Sequence, residues 1–267
     1  MTNAIALRDV HARYPLSERD SLRDLSLTIA RGEILALVGP NGSGKSTALA
    51  TFGRALAPRL GRVELGGTDV APLPVRHVAR AVGRLPQQPQ CPEGVTVEAL
   101  VQSGRHAYRR FLAPLSEKDR SVVREAMRTT DVLDLRRRTV ETLSGGERRR
   151  AWLAMVLCQQ AALLLLDEPT AALDLRHQRE VLMLLRQLKR DRGTTMVVVL
   201  HDLEQAAWLA DRIAVLHRGR LYDTGPPATC ISAEMLCDVF GVAARVTTDA
   251  DGLAVRILGP ATPRRAL

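Results

Sequence analysis

Residues 33–47 read EILALVGPNGSGKST, and the fold turns on them. EILALVG, at 33–39, is predicted to be a buried strand. From Ser46 onward the pattern STALATFGRAL turns helical, with Pro58–Gly61 ending the helix. The loop between them holds Gly39, Pro40, Asn41, Gly42, Ser43, Gly44, Lys45, Ser46 and Thr47, and it fits G-x-x-x-x-G-K-[ST] from Gly39 to Ser46. A strand running through such a loop into a helix makes an anion site, because successive backbone N–H groups and the helix N-terminus point at one place. Lys45 is placed to reach the β- and γ-phosphates of a nucleotide, and the Ser46 hydroxyl to bind Mg²⁺. A chance glycine turn lacks that flanking context.

The rest of the chain supplies the sheet that this loop needs. Residues 4–10 and 22–29 alternate like half-exposed strands, with a turn at Arg31-Gly32, and 61–67 reads as another short strand and turn. HVARAV at 77–82 predicts a short helix. Residues 96–112 and 116–138 show helical periodicity with many charges, which predicts a helical lobe inserted into an α/β core. After it come a strand at 163–166, a helix at 174–190, a strand at 196–200, a helix at 202–210 and a hairpin at 213–221. From about 226 the pattern is weak, and the terminal TPRRAL is expected to fray. Strands alternating with helices imply a mostly parallel sheet, with ligands at the carboxyl ends of its strands. Three chemically loaded segments fall at such ends: Gly39–Thr47, Asp167-Glu168 and His201.

LLLLDEP, at 163–169, sets two carboxylates just past a fully apolar strand. Asp167 suits a Mg²⁺ shell, and Glu168 is placed to orient or deprotonate an attacking water. A lone Asp-Glu would more simply close a strand; beside a phosphate loop the catalytic reading is preferred. His201 follows the strand at 196–200, where a structural histidine is the bland alternative, and Asp202 is expected to cap the next helix with Gln205 completing the box.

A second glycine pair stands at 143–147, LSGGE. Ser144 and Glu147 form a capping box for the helix that follows, but the box does not account for Gly145 and Gly146, each costing a helix up to about 1 kcal/mol. Glycines at a helix start let a backbone approach something closely, and the helix dipole makes a phosphate a suitable something.

LSGGE resembles the signature of the ATP-binding-cassette (ABC) ATPases, whose usual form is LSGGQ; Glu147 departs from the glutamine. The resemblance spans about residues 3–225 with each motif in order. It implies an α/β nucleotide-binding domain with a mostly parallel core sheet, an N-terminal antiparallel β part and an inserted helical lobe at about 88–160. Residues 1–225 would form the cassette, and 226–267 a small extension with no separate regulatory domain. In such a family ATP and Mg²⁺ are the cofactors. Ser144, Gly145, Gly146 and Glu147 would bind the nucleotide held by the phosphate loop of a second subunit, making a head-to-tail dimer around two ATPs. Tyr14 resembles the aromatic that stacks on adenine, with an ordinary edge-strand tyrosine as the alternative. Gln87 resembles the glutamine that senses Mg²⁺ and γ-phosphate, with Gln88 competing. Asp174 would be the acid of a loop crossing the interface, and His201 the switch histidine.

The segment LPQQPQCPEGVTVEALVQSGRHAYRRFL, with Gly104-Arg105-His106-Ala107-Tyr108 inside it, resembles importers for ferric siderophores, haem and cobalamin. That implies a membrane importer with permease subunits and an extracytoplasmic substrate-binding protein as partners, and a peripheral place on the cytoplasmic face of the membrane. Other cargoes, or export, are the alternatives.

The bulk properties agree. Apolar runs such as AALLLL at 161–166 and MVVVL at 196–200 fall far short of the ~20 residues of a membrane span. Arg8 and Asp9 stand where the apolar region of a signal peptide would be. The four cysteines form no CxxC pair or metal spacing and suit a reducing compartment. The net charge of +9 raises nucleic acid as a partner. The basicity is dispersed arginine, however, and no heptad-patterned coiled coil separates Lys45 from Ser144, so no nucleic acid is expected.

Overall fold

The computed structural model describes residues 3–108, 114–249 and 252–261. Strand β1 (Asn3–Ala12) pairs antiparallel with β2 (Leu22–Ala30) and with β4 (Leu60–Leu65), and the short β5 (Thr68–Asp69) extends β4. This is the expected N-terminal antiparallel part. The core sheet has six strands. β3 (Ile34–Val38), β6 (Val82–Leu85), β7 (Leu163–Asp167), β8 (Thr195–Val199), β9 (Arg212–His217) and β10 (Arg220–Gly225) lie in the order β10-β9-β3-β8-β7-β6. All of its neighbours are parallel except the β9–β10 hairpin.

The continuous apolar runs of the sequence follow from that placement, since a parallel strand covered on both faces needs no polar side. Ile34, Ala36 and Val38, with Leu164, Leu166 and Val198, join one buried cluster; Leu35, Leu37, Leu163, Leu165, Val197 and Val199 join the other. Helix α1 (Lys45–Phe52) packs in the second cluster with the antiparallel sheet. α1 is shorter than expected: Gly53 ends it, and Arg54 takes a left-handed φ of 55°.

Helix α2 (Val75–Ala81) leads directly into β6, an edge strand that the sequence pattern did not signal. The helical lobe is α3 (Val97–Ser103), α4 (Glu117–Thr129) and α5 (Gly145–Cys158). The helices predicted over 96–112 and 116–138 are both truncated. α3 stops at Gly104, where a Cβ would lie 2.4 Å from the Met155 carbonyl oxygen of α5, and residues 109–112 lie outside the described residues. α4 gives way after Thr129 to a 3₁₀ turn at Leu133–Leu135. Buried Arg105 ties the three helices together: Nε donates to Asp119 Oδ1 at 2.8 Å, Nη1 to the Cys158 carbonyl at 2.9 Å, and the guanidinium stacks on Tyr108.

Helices α6 (Leu175–Arg192) and α7 (Leu203–Leu209) complete the α/β alternation. The weakly patterned tail is in fact ordered. After a one-turn π-helix at Leu236–Phe240, strands β11 (Val242–Asp249) and β12 (Gly252–Pro260) form an antiparallel hairpin. Its inner residues Val246, Leu253 and Val255 pack on the main cluster, and the Val255 N–H donates to Glu204 Oε1 of α7 at 2.9 Å. The terminal TPRRAL lies outside the described residues. None of the described helices is long and apolar enough to cross a membrane.

Candidate functional site

The loop after β3 is built on left-handed glycines. Gly39 has φ 146°, and a Cβ there would sit 2.1 Å from the Leu216 carbonyl oxygen of β9, so the chain passes only without a side chain. Gly44, at φ 103°, opens α1. The buried Lys45 folds its Nζ back onto the carbonyls of Gly39, 2.8 Å, and Pro40, 2.9 Å. Burial holds its ammonium below the usual lysine range, opposed by the charges of Glu168 and Asp167. Ser43 Oγ is buried in the same loop without a hydrogen-bond partner. A cleft of about 710 Å³ lies over the loop, lined from below by Asn41, Gly42, Gly44, Lys45, Ser46 and Thr47.

The end of β7 forms the next wall. Asp167 is 4% exposed; burial raises its pKa, and the hydrogen bond with the Ser46 hydroxyl pulls it back. Its Oδ1 is buried and unpartnered, a hard oxygen donor beside a second one at Ser46. Glu168 adopts φ 51°, a strained backbone for a non-glycine residue at the chemical centre of the cleft. Two side chains converge on its Oε1: Gln87 Nε2 donates at 2.7 Å, and His201 Nε2 lies 2.6 Å away. Gln87, His201 and Glu168 all line the cleft; Gln88 does not.

Behind this wall, Arg149 of α5 is 7% exposed and donates to four carbonyls. Nη1 reaches Pro86 and Gln87 at 3.1 and 3.2 Å, and Nη2 reaches Asp167, and Glu168 at 2.6 Å. Sequence reasoning missed it, because an arginine in a basic helix carries no signal until its carbonyl partners are placed. Arg19, Arg23 and Arg218, which also line the cleft, were likewise invisible as site residues.

The segment Ser144–Glu147 is none of the cleft's lining. Its capping box is as read: the Ser144 N–H donates to Glu147 Oε2 at 2.8 Å, and the Glu147 N–H to Ser144 Oγ at 3.2 Å. Ser144 and Gly145 are exposed, and Gly145 and Gly146 lie against Ala172 and Leu173. The signature and the 172–174 loop therefore share one edge. Asp174 on that edge caps α6, its Oδ1 accepting from the His177 N–H at 2.9 Å, with the carboxylate mostly exposed. Tyr14 is 45% exposed on the loop after β1; Ser17 and Arg19 of that loop line the cleft, and Tyr14 does not. Asp202 caps α7 as expected, but Gln205 does not complete the box; its amide donates instead to Gln178 Oε1 at 2.8 Å.

A phosphate loop at the carboxyl end of β3, a buried Asp167 followed by the cleft-lining Glu168 at the end of β7, and a histidine after β8 define a phosphate-loop nucleoside triphosphatase. Comparison with known proteins narrows the class. The family model described as ABC transporter matches residues 22–171. A probable siderophore transport system ATP-binding protein of Bacillus subtilis (strain 168) is 42% identical, covering 85% of this chain and 82% of the relative. The hemin import ATP-binding protein of Rhodococcus jostii (strain RHA1) is also 42% identical, over 90% and 81%. Among solved structures, an inward-facing putative metal-chelate type ABC transporter superposes with a TM-score of 0.80 at 25% identity, covering 96% of this chain and 97% of that one. A bacterial ABC transporter cassette solved as a dimer gives 0.76 at 27% identity, over 84% and 98%. The chain belongs to the ABC transporter family, as an ATP-hydrolysing cassette.

Proposed function

We propose that this cassette drives uptake of an iron chelate, a ferric siderophore or haem, with cobalamin as the neighbouring cargo class. The observation that carries the cargo is similarity along nearly the whole chain to ATP-binding proteins whose names specify siderophore and hemin transport. In this reading residues 1–225 are the cassette, bound at the cytoplasmic face of a membrane to permease subunits that an extracytoplasmic binding protein supplies.

ATP lies with its triphosphate on the N–H groups of Gly39–Thr47, and Tyr14 stacks on the adenine. Lys45 exchanges the carbonyls of Gly39 and Pro40 for the β- and γ-phosphate oxygens, a trade of neutral acceptors for charged ones. Asp167, with its orphaned Oδ1, Ser46 and the amide oxygen of Gln87 fit Mg²⁺, which neutralises charge on the phosphates when bound. Glu168 accepts the proton of the attacking water; Gln87 and His201 both engage its Oε1, which leaves Oε2 for that water. The γ-phosphate of each ATP is completed by Ser144–Glu147 of a second copy, with Asp174 beside it at the interface. Closure on ATP moves the permease through the lobe around Gln87, and hydrolysis reopens the dimer. Energy reaches transport because ATP binds the closed state better than the open one.

The test is deletion of the gene, complementation with wild type or Glu168→Gln, and parallel uptake of labelled ferric siderophore, haem and cobalamin. One uptake should be lost and restored by wild type only; three unaffected uptakes would refute the cargo.

A further inference from the structure

Arg149 is the fifth residue after Ser144, about 7.5 Å along the same helix. The first turn of α5 therefore carries the exposed signature, and the next turn carries a guanidinium buried behind the chain's own hydrolytic residues. Its four acceptors come from two separate segments. Pro86 and Gln87 lie just past β6; Asp167 and Glu168 close β7. Each Nη bridges the two carbonyls of one segment, so a single planar group fixes the spacing between them. The side chains that emerge from those same residues, Gln87 and Glu168, meet at 2.7 Å on the cleft side. Among the described residues Arg149 makes no carboxylate contact that would satisfy it otherwise, and its Nε stays buried and unpartnered. Such a charge is held there by its carbonyl cage and by the nearby Asp167 and Glu168.

We propose that Arg149 is a positioning residue that carries engagement of the signature by one nucleotide to the Glu168–Gln87 pair acting on the other. The inference rests on the two-nucleotide dimer described above. α5 is the rigid element: its N-terminus touches the partner's ATP, and its Arg149 sets the distance between β6 and β7 ends in its own chain. Without that link each site hydrolyses alone and slowly.

The test compares full-length wild type, Arg149→Lys and Arg149→Gln. ATPase rate is measured against ATP concentration, normalised to nucleotide-binding sites titrated with a fluorescent ATP analogue without Mg²⁺. Lysine keeps the charge but cannot bridge two pairs of carbonyls from two nitrogens, so both variants should lose about tenfold or more in kcat, with KM within about threefold. Wild type should show positive cooperativity in ATP, and both variants should lose it. A purely structural arginine would instead lower the melting temperature and the fraction of competent sites, leaving kcat per site and cooperativity intact, and that result would overturn the proposal. Should Arg149→Gln fail to fold, Arg149→Lys decides: full rate per site and retained cooperativity refute the link. A wild type that hydrolyses no ATP at all would refute the nucleotide reading itself, a distinguishable failure that takes this inference with it.

Discussion

Gly104→Ala probes the packing of α3 against α5 inside the helical lobe without touching a candidate site residue. Gly104 has ordinary helical backbone, φ −58°, so the substitution introduces no conformational strain of its own. The added Cβ would stand 2.4 Å from the Met155 carbonyl oxygen and 3.2 Å from Cys158 Cβ, both on α5. The first contact is roughly 1 Å short of van der Waals separation, and its partner is backbone, which no rotamer change relieves. α3 and α5 must part, and overpacking of this kind costs about 1–3 kcal/mol. Reduced freedom of the unfolded chain returns about 0.4–1 kcal/mol. The difference centres on about 1.3 kcal/mol, and a net loss of that size in a chain of this length lowers the melting temperature by roughly 3–5 °C. Circular dichroism melts should show that drop, while the affinity for ATP stays near wild type because Gly39–Thr47 packs elsewhere. A variant as stable as wild type would refute the close approach of the two helices.

Other outcomes follow from the same structure. Asp119 is held below the usual carboxylate range, first by the Ser116 hydroxyl and also by the Arg105 guanidinium. A depressed folded pKa stabilises above the unfolded value and is lost as pH falls through the folded one. The stability gap between wild type and Asp119→Asn in urea should thus be constant from pH 7 to 5 and narrow only below about pH 4. Burial pushes the Cys158 and Cys230 thiols up to about 11, so at pH 8 only about one in a thousand of each is thiolate. Thiol titration of the native protein should leave both unmodified, and unfolding should release them. Saturating MgATP, about 100 times its Kd, should raise stability by about 2.7 kcal/mol, and Lys45→Ala should abolish the shift in a thermal melt.

The parts of this molecule most legible in the sequence are those where one physical demand dominates. β3, β7 and β8 are covered on both faces, so their runs are wholly apolar; the phosphate loop needs glycine where φ is positive, as at Gly39 and Gly44. The capping box of Ser144 and Glu147 is local and was readable as such. β6 was not, because it is a four-residue edge strand with Gly83 and Arg84 in its middle. The β11–β12 hairpin hides its alternation behind alanines at 243, 244 and 254, of which Ala244 packs on the main cluster and Ala254 is exposed. Spacing back from Val97 favours Gln87 over Gln88 in a linear reading, and the contact of Gln87 with Glu168 across two parallel strands separates them. Arg149 depends on partners from other segments and nothing local marks it, while the local pattern that marks Gln205 as a capping residue does not show its partner Gln178 on α6.

The central claim is that each catalytic site joins the phosphate loop of one chain to the signature of another. Lys45→Ala disables the first half and Gly146→Asp the second, so each variant alone should hydrolyse no ATP. In an equimolar mixture half the dimers pair one of each, and each such dimer holds one intact composite site. ATPase activity of the mixture should therefore rise above that of either variant alone, to at most roughly a quarter of wild type. A mixture no more active than its components would contradict the account, as would wild-type turnover by Gly146→Asp alone.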